Sequence, residues 1–169
     1  MAKRGLFNWS IWIGLWTGLY TLAYILSPLG EYGVMWTTYV ALPIYFLSGV
    51  KKSEFLNYAV SGVTGVGWGL VYITLTSLLI SQGMSDLWAN GLVCFVVTAV
   101  CLIIHFILLD KTPLNKVPAI FGAIASTFST GGEKILPLMI TLVLGTCLAY
   151  IFNWGLNILD EKGRWCMPK

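Results

Sequence analysis

The sequence predicts an all-α membrane protein of about six transmembrane helices, the last three repeating the first three in inverted orientation. Composition, the placement of charge and a short internal repeat lead to this class. Of 169 residues, 57% are hydrophobic and 10% charged, against roughly 25% charged in an average soluble domain. The charges gather in short clusters between apolar stretches that approach the ~20 residues needed to cross a hydrocarbon core.

Helix 1 is expected at residues 7–27, rich in Trp and Gly. It is too long for the apolar core of a secretion signal and no small-residue cleavage site follows, so it is read as retained. Helix 2, at 33–49, contains Pro43, which removes a backbone donor and should free a carbonyl near residue 39. Freed backbone of this kind is tolerated where it faces protein or a water-filled cavity. Helix 3, at 55–81, carries the longest track of small residues at four-residue spacing, Ser61, Gly65 and Gly69, which lets neighbouring backbones approach. Shorter tracks are Gly14 and Gly18, Gly122 and Ser126, and Gly145 and Ala149. Helix 4 is expected at 86–109, and helix 5, at 117–130, is short for a full crossing. Helix 6 covers 135–158, with Pro137 in its first turn. A basic tail, 159–169, completes the single domain.

Orientation follows from the basic residues, which accumulate on the cytoplasmic side of short loops. Six crossings place Lys3, Arg4, Lys51, Lys52, Lys111, Lys116, Lys162, Arg164 and Lys169 on one side. Glu31, Asp86, Glu133 and Lys134 fall on the other. Both termini are therefore expected in the cytoplasm.

The repeat lies in helices 2 and 3 against helices 5 and 6. Phe46-Leu-Ser-Gly49 leads into a helix ending Gly67-Trp-Gly-Leu70-Val-Tyr72, and Phe128-Ser-Thr-Gly131 into one ending Gly145-Thr-Cys-Leu148-Ala-Tyr150. A three-helix unit is odd, so its two copies would be inverted in the membrane, with solute sites between them. Candidates for a solute path are Tyr39, Pro43, Tyr45 and Phe46 in the first half, Trp68 in helix 3, and Gly122, Ser126 and Phe128 in the second.

Ionisable groups within the apolar stretches are functional candidates by default. His105, near the cytoplasmic end of helix 4, is a possible pH-sensitive group, its blander reading being an interfacial histidine in contact with water or headgroups. The membrane-embedded hydroxyls are expected to bond their own helix backbones. The four cysteines make no metal spacing and read as free thiols. No phosphate loop, metal cluster or nucleophile beside a base is present, so neither an enzyme nor a cofactor is expected. The net charge of +3 suits anionic lipid headgroups rather than nucleic acid.

The run Tyr45-Phe46-Leu-Ser-Gly49 with Lys51 and Lys52, Ser61-Gly62-Val63 and Trp68, and the stretch from Pro118 through Phe121-Gly122, Ala125 and Phe128 to Leu136-Pro137 and Leu144-Gly145 resemble the YcdZ-like family of small bacterial inner-membrane proteins. The resemblance implies a multi-helix inner-membrane fold and carries over no functional residue, because the family has no assigned function. Two function classes remain. One is a channel or facilitator for a small neutral polar solute, working as a homo-oligomer among membrane lipids. The other is a non-transporting subunit or anchor whose cytoplasmic tail recruits a partner.

Overall fold

The computed structural model describes residues 3–166; Lys169, counted above among the basic residues, lies outside them. Six helices form: α1 (Lys3–Leu26), α2 (Thr38–Leu47), α3 (Phe55–Ser81), α4 (Asp86–Ile103), α5 (Val117–Ser129) and α6 (Ile135–Trp154). Among the described residues there is no strand, only an isolated bridge between Leu159 and Trp165. Four helical stretches, Lys3–Leu26, Lys52–Ser81, Asp86–Leu108 and Ile135–Ile158, are long and apolar enough to cross a membrane, whereas Met35–Leu47 and Val117–Ser129 are apolar but shorter. At 1.5 Å per residue the 27 residues of α3 extend about 40 Å and the 13 of α5 about 20 Å. The outer surface is apolar, with Phe7, Leu15, Leu22, Leu87, Phe95 and Ile107 all exposed, which suits a protein whose solvent is lipid.

Helix ends differ from the sequence expectation where turn chemistry intervenes. Helix 2 begins as a 3-10 turn, Met35–Thr37, before α2 proper. Helix 4 finishes in a π turn, Ile104–Leu108, marked by the Leu109 amide donating to the Ile104 carbonyl at 2.8 Å. The two short helices end alike. Two consecutive left-handed residues follow each, Gly49 and Val50 after α2 and Gly131 and Gly132 after α5. The Gly49 amide donates to the Phe46 carbonyl at 3.1 Å and the Gly131 amide to the Phe128 carbonyl at 3.0 Å. Hydroxyls complete both caps: Ser48 donates to the Tyr45 carbonyl at 2.7 Å and Thr130 to the Thr127 carbonyl at 3.0 Å. Left-handed residues in these places satisfy carbonyls that a helix end leaves open.

Contacts fix the direction of every helix. Ser61 on α3 donates to the Pro113 carbonyl, Gly65 lies against Ile120, Gly69 against Thr127 and Ile73 against Gly132, so α3 and α5 run parallel. In the same way Gly145 lies against Thr38 and Ala41, and Ala149 packs with Tyr45, so α2 and α6 are parallel. Trp68 meets His105 and Tyr72 meets Thr98, making α3 and α4 antiparallel. Phe55 meets Tyr150 while Val66 packs with Leu138 and Leu142, making α3 and α6 antiparallel. The indoles of Trp9 and Trp12 each donate at 2.9 Å to the carbonyls of Phe152 and Ile151, and Tyr24 bonds Thr141 at 2.7 Å, so α1 opposes α6. Successive helices therefore alternate in direction from α1 to α6.

The two close helix pairs use corresponding residues. From Thr38 to Ile120, Ala41 to Ala123 and Tyr45 to Thr127 the interval in sequence is constant, and a second constant interval takes Gly65 to Gly145 and Gly69 to Ala149. A Cβ on Gly145 would come 2.5 Å from the Thr38 carbonyl oxygen and 3.0 Å from the Ala41 Cβ; one on Gly65 would overlap the Ile120 carbonyl oxygen and lie 2.8 Å from the Ala123 Cβ. Glycine at these two points is required by backbone approach. Gly14 and Gly18, by contrast, have nothing within 4 Å and face outward.

Basic residues collect at one end. Lys116, entering α5, bonds Glu54, entering α3, at 2.9 Å. The tail folds back to the same end: the Asn8 carboxamide donates to the Gly163 carbonyl at 2.8 Å, and Trp165 packs 6.4 Å from Trp12. Lys134, ahead of α6, stands at the opposite end.

Candidate functional site

Where α2 crosses α5 the molecule has its centre. Gly122 on α5 faces Val40 and Ile44 on α2, and a Cβ there would come 2.7 Å from Ile44 Cδ1 and 3.1 Å from Val40 Cγ1. Val40 and Gly122 are separated by the same interval as the other α2 and α5 counterparts, so the two short helices cross at corresponding residues. Around this crossing lies a cavity of about 10 Å³, closed in by Ala41, Tyr58, Ala59 and Gly62 on one side and by Ala119, Ala123, Leu142 and Thr146 on the other. That is room for about one water. The centre is shut in this conformation.

Polar groups near the centre are spent within their own helices. Ser126 donates to the Gly122 carbonyl at 2.8 Å, Thr127 to Ala123 at 2.8 Å, Thr141 to Pro137 at 2.7 Å and Thr146 to Leu142 at 3.3 Å. Such bonds satisfy a buried hydroxyl without leaving a polar wall. Thr141 also accepts from Tyr24 of α1, and Thr38 is hydrogen-bonded to Tyr20.

The candidate residues read from sequence do not come together in one place. Gly122 lies at the crossing, and Ser126, buried, is one turn further along α5. Tyr45 and Phe46 lie at the basic end: Tyr45 is fully buried with its hydroxyl on the Lys51 carbonyl at 3.0 Å, and Phe46 stacks on Trp9 at 5.7 Å. Phe128 packs edge-on against Tyr72 at 5.6 Å. Since Phe46 clusters with Phe55 and Tyr58, Phe46 and Phe128 are separated by roughly 25 Å along α3. Tyr39 and Pro43 are exposed on the outer face of α2, the Tyr39 hydroxyl 3.5 Å from that of Thr21. On a 3.6-residue period Ala41 and Ile44 lie on the other side of α2, with Val40 at its edge, and those three, with Tyr58 and Thr146, are among the lining residues that sequence reasoning missed. The signal was available in α2: the turn that puts Pro43 outside puts Ile44 inside.

The His105 side chain is not open to solvent. It is buried to 1% exposure in the π turn after α4. The Trp68 indole donates to its Nε2 at 2.9 Å, and its Nδ1 lies 2.6 Å from the Leu114 carbonyl. An indole can only donate and a carbonyl can only accept, so the ring is held as the neutral tautomer carrying its proton on Nδ1. The pair ties α3, α4 and the approach to α5 together. The Glu54 carboxyl lies outside the apolar stretches, where its hydrogen bond with Lys116 holds it below the usual carboxylate range, and Lys116 also sits 5.4 Å over the Tyr58 ring. Among the described residues no three His, Cys, Asp or Glu side chains come together as a metal site.

Compared with known proteins, residues 10–156 match the model of one family, described as a protein of unknown function, DUF1097. No curated protein matches the chain, and no solved structure does.

Proposed function

The chain belongs to the DUF1097 family, whose function is unassigned, and from that premise we propose that it is an inner-membrane facilitator for a small, neutral, polar solute, built from two inverted three-helix halves. One observation carries this reading: exchanging α1, α2 and α3 for α4, α5 and α6 maps the α2 and α6 contact onto that of α5 with α3, residue for residue at Gly145 and Gly65. The alternating helix directions support inversion, because counterparts then point oppositely. The crossing of α2 and α5 at the counterparts Val40 and Gly122 supports a pseudo-twofold axis in the membrane plane, an arrangement in which transporters hold solutes between repeats. In this reading the centre is a closed gate, and flux requires the halves to part.

Orientation and place belong to the same proposal. Lys3, Arg4, Lys51, Lys52, Lys111, Lys116, Lys162 and Arg164 share one end, so we place that end and both termini in the cytoplasm of a bacterium. The narrower YcdZ-like relationship rests on the loop residues quoted above. A homo-oligomer is supported by the unfilled outward face at Gly14 and Gly18; the mass of the detergent-extracted protein tests it. The alternative, an anchor recruiting a partner through its tail, is weakened by the tail's packing on Asn8 and Trp12.

The test is flux. Proteoliposomes and empty vesicles are shrunk osmotically in glycerol and in urea, and re-swelling is followed by light scattering. Protein-dependent re-swelling with either solute is the expected result. Folded, reconstituted protein that moves neither solute nor water would overturn the transport reading and favour the anchor.

A further inference from the structure

Between α3, α4 and the end of α5 lies a cavity of about 270 Å³, several waters in size. It is far roomier than the shut centre. Its walls combine Thr76, Ser77, Asn90 and Cys94 with the edge-on ring pair of Tyr72 and Phe128. Asn90 donates to the Asp86 carbonyl at 2.8 Å, which leaves its own carbonyl oxygen as an acceptor. Cys94 is exposed, yet it stands about 12 Å along α4 from Asp86, a depth at which hydroxyls and carboxamides facing lipid would go unsatisfied.

The first half fills the corresponding place. At the interval relating α2 to α5, Phe128 answers to Phe46, Asn90 to Asn8, Gly91 to Trp9 and Cys94 to Trp12. There Trp9 stacks on Phe46, the Trp12 indole bonds the Ile151 carbonyl, and Asn8 is covered by Gly163 of the tail. Two indoles and a tail residue stand at the basic end where a glycine and a cysteine stand at the other.

We propose that this hollow is a water-filled vestibule on the outer side, through which a small uncharged solute with hydrogen-bonding groups and one apolar face enters. The rings of Tyr72 and Phe128 flank the apolar face, and Asn90, Thr76 and Ser77 exchange hydrogen bonds with the rest. The assignment rests on the facilitator reading, but water in the vestibule is measurable without flux.

The experiment uses the full chain with Cys101, Cys147 and Cys166 replaced by alanine, leaving Cys94 as the sole thiol, in oriented proteoliposomes. A charged, membrane-impermeant methanethiosulfonate is added from the side of Lys134. Cys94 should be modified at least about tenfold faster than Cys101 in a matched single-cysteine protein, since thiol reactivity follows exposure, and the adduct should cut glycerol or urea flux several-fold. Gly91→Trp, at a position where an added Cβ meets nothing within 4 Å, should slow the modification. Flux with an unreactive Cys94 would overturn the vestibule and leave the facilitator standing. A modified Cys94 with unchanged flux would overturn the entry role. No flux in the unmodified protein would overturn the facilitator reading and the entry role with it.

Discussion

Replacing Gly65 by alanine adds one methyl group at the tightest point between α3 and α5. The new Cβ would overlap the Ile120 carbonyl oxygen and stand 2.8 Å from the Ala123 Cβ. Carbon atoms in contact rest about 3.5–4.0 Å apart, so the helices must part by about 1 Å along a seam that neither backbone can relieve by a rotamer change. Overpacking of this kind costs roughly 1–3 kcal/mol, and removing a helical glycine returns about 0.5–1 kcal/mol. At mid-range the net loss is about 1.3 kcal/mol, which should lower Tm by roughly 3–5 °C, taking 2–4 °C per kcal/mol for a chain of this size. Gly145→Ala should behave likewise at the α2 and α6 seam, where the Thr38 carbonyl oxygen is 2.5 Å from the added atom. Gly67→Ala is the control, since nothing lies within 4 Å of it, and it should leave Tm unchanged or raise it. Scanning fluorimetry in detergent reads all three. Gly65→Ala melting at or above wild type would refute the close-approach argument.

His105→Ala strips a partner from the Trp68 indole and from the Leu114 carbonyl, which should cost about 1–3 kcal/mol; in a double-mutant cycle with Trp68→Phe the two losses should fall short of additive by at least about 0.5 kcal/mol, and additivity would show that the bond carries nothing. The lowered Glu54 pKa means that its pairing with Lys116 contributes fully above the unfolded carboxyl value of about 4.3 and is lost as pH falls through the lower folded value. Acid melting curves should accordingly decline less steeply below pH ~4 for Glu54→Gln than for wild type, by the roughly 0.2–1 kcal/mol expected of an ion pair at the surface. Phe46→Leu and Phe128→Leu should alter solute flux without reducing folded yield, while Leu78→Ile, half exposed on the outer face, should not; equal effects at all three would dissociate the aromatic ends from the path.

Much of the fold was legible because lipid simplifies the pattern: long apolar runs bounded by charge gave six helices near their observed places. The likeness on which the proposed repeat rests was legible at the caps. Phe46-Leu-Ser-Gly49 and Phe128-Ser-Thr-Gly131 are alike because each ends a short helix with the same left-handed turn and a hydroxyl on the preceding carbonyl. Within the long helices the pairing used for the proposed repeat differs by two residues from the match read in the sequence. A match of letters set Gly67 against Gly145, whereas backbone approach sets Gly65 against Gly145, and glycine leaves no side chain from which sequence could tell which face it is on. The site was the least legible part. Chemistry drew attention to Tyr39 and Pro43, but the packed face of α2 is Val40, Ala41 and Ile44, residues whose role comes from position alone. His105 was conspicuous, while its partner Trp68, 37 residues away, and the π turn that brings them together leave no mark in composition.

The central claim is that the two halves run oppositely through the membrane, and cysteine accessibility tests it most directly. In a cysteine-free background, single cysteines at Lys52, Lys116 and Ser85 are exposed to an impermeant maleimide in intact cells and again after the membrane is opened. Ser85→Cys should label in intact cells, and Lys52→Cys and Lys116→Cys only after opening, because the proposed orientation has α2 and α4 end, and α3 and α5 begin, on the inner side. Labelling of Lys116→Cys in intact cells while Lys52→Cys stays protected would put the entry to α5 outside and that to α3 inside, make the halves parallel rather than inverted, and contradict the account.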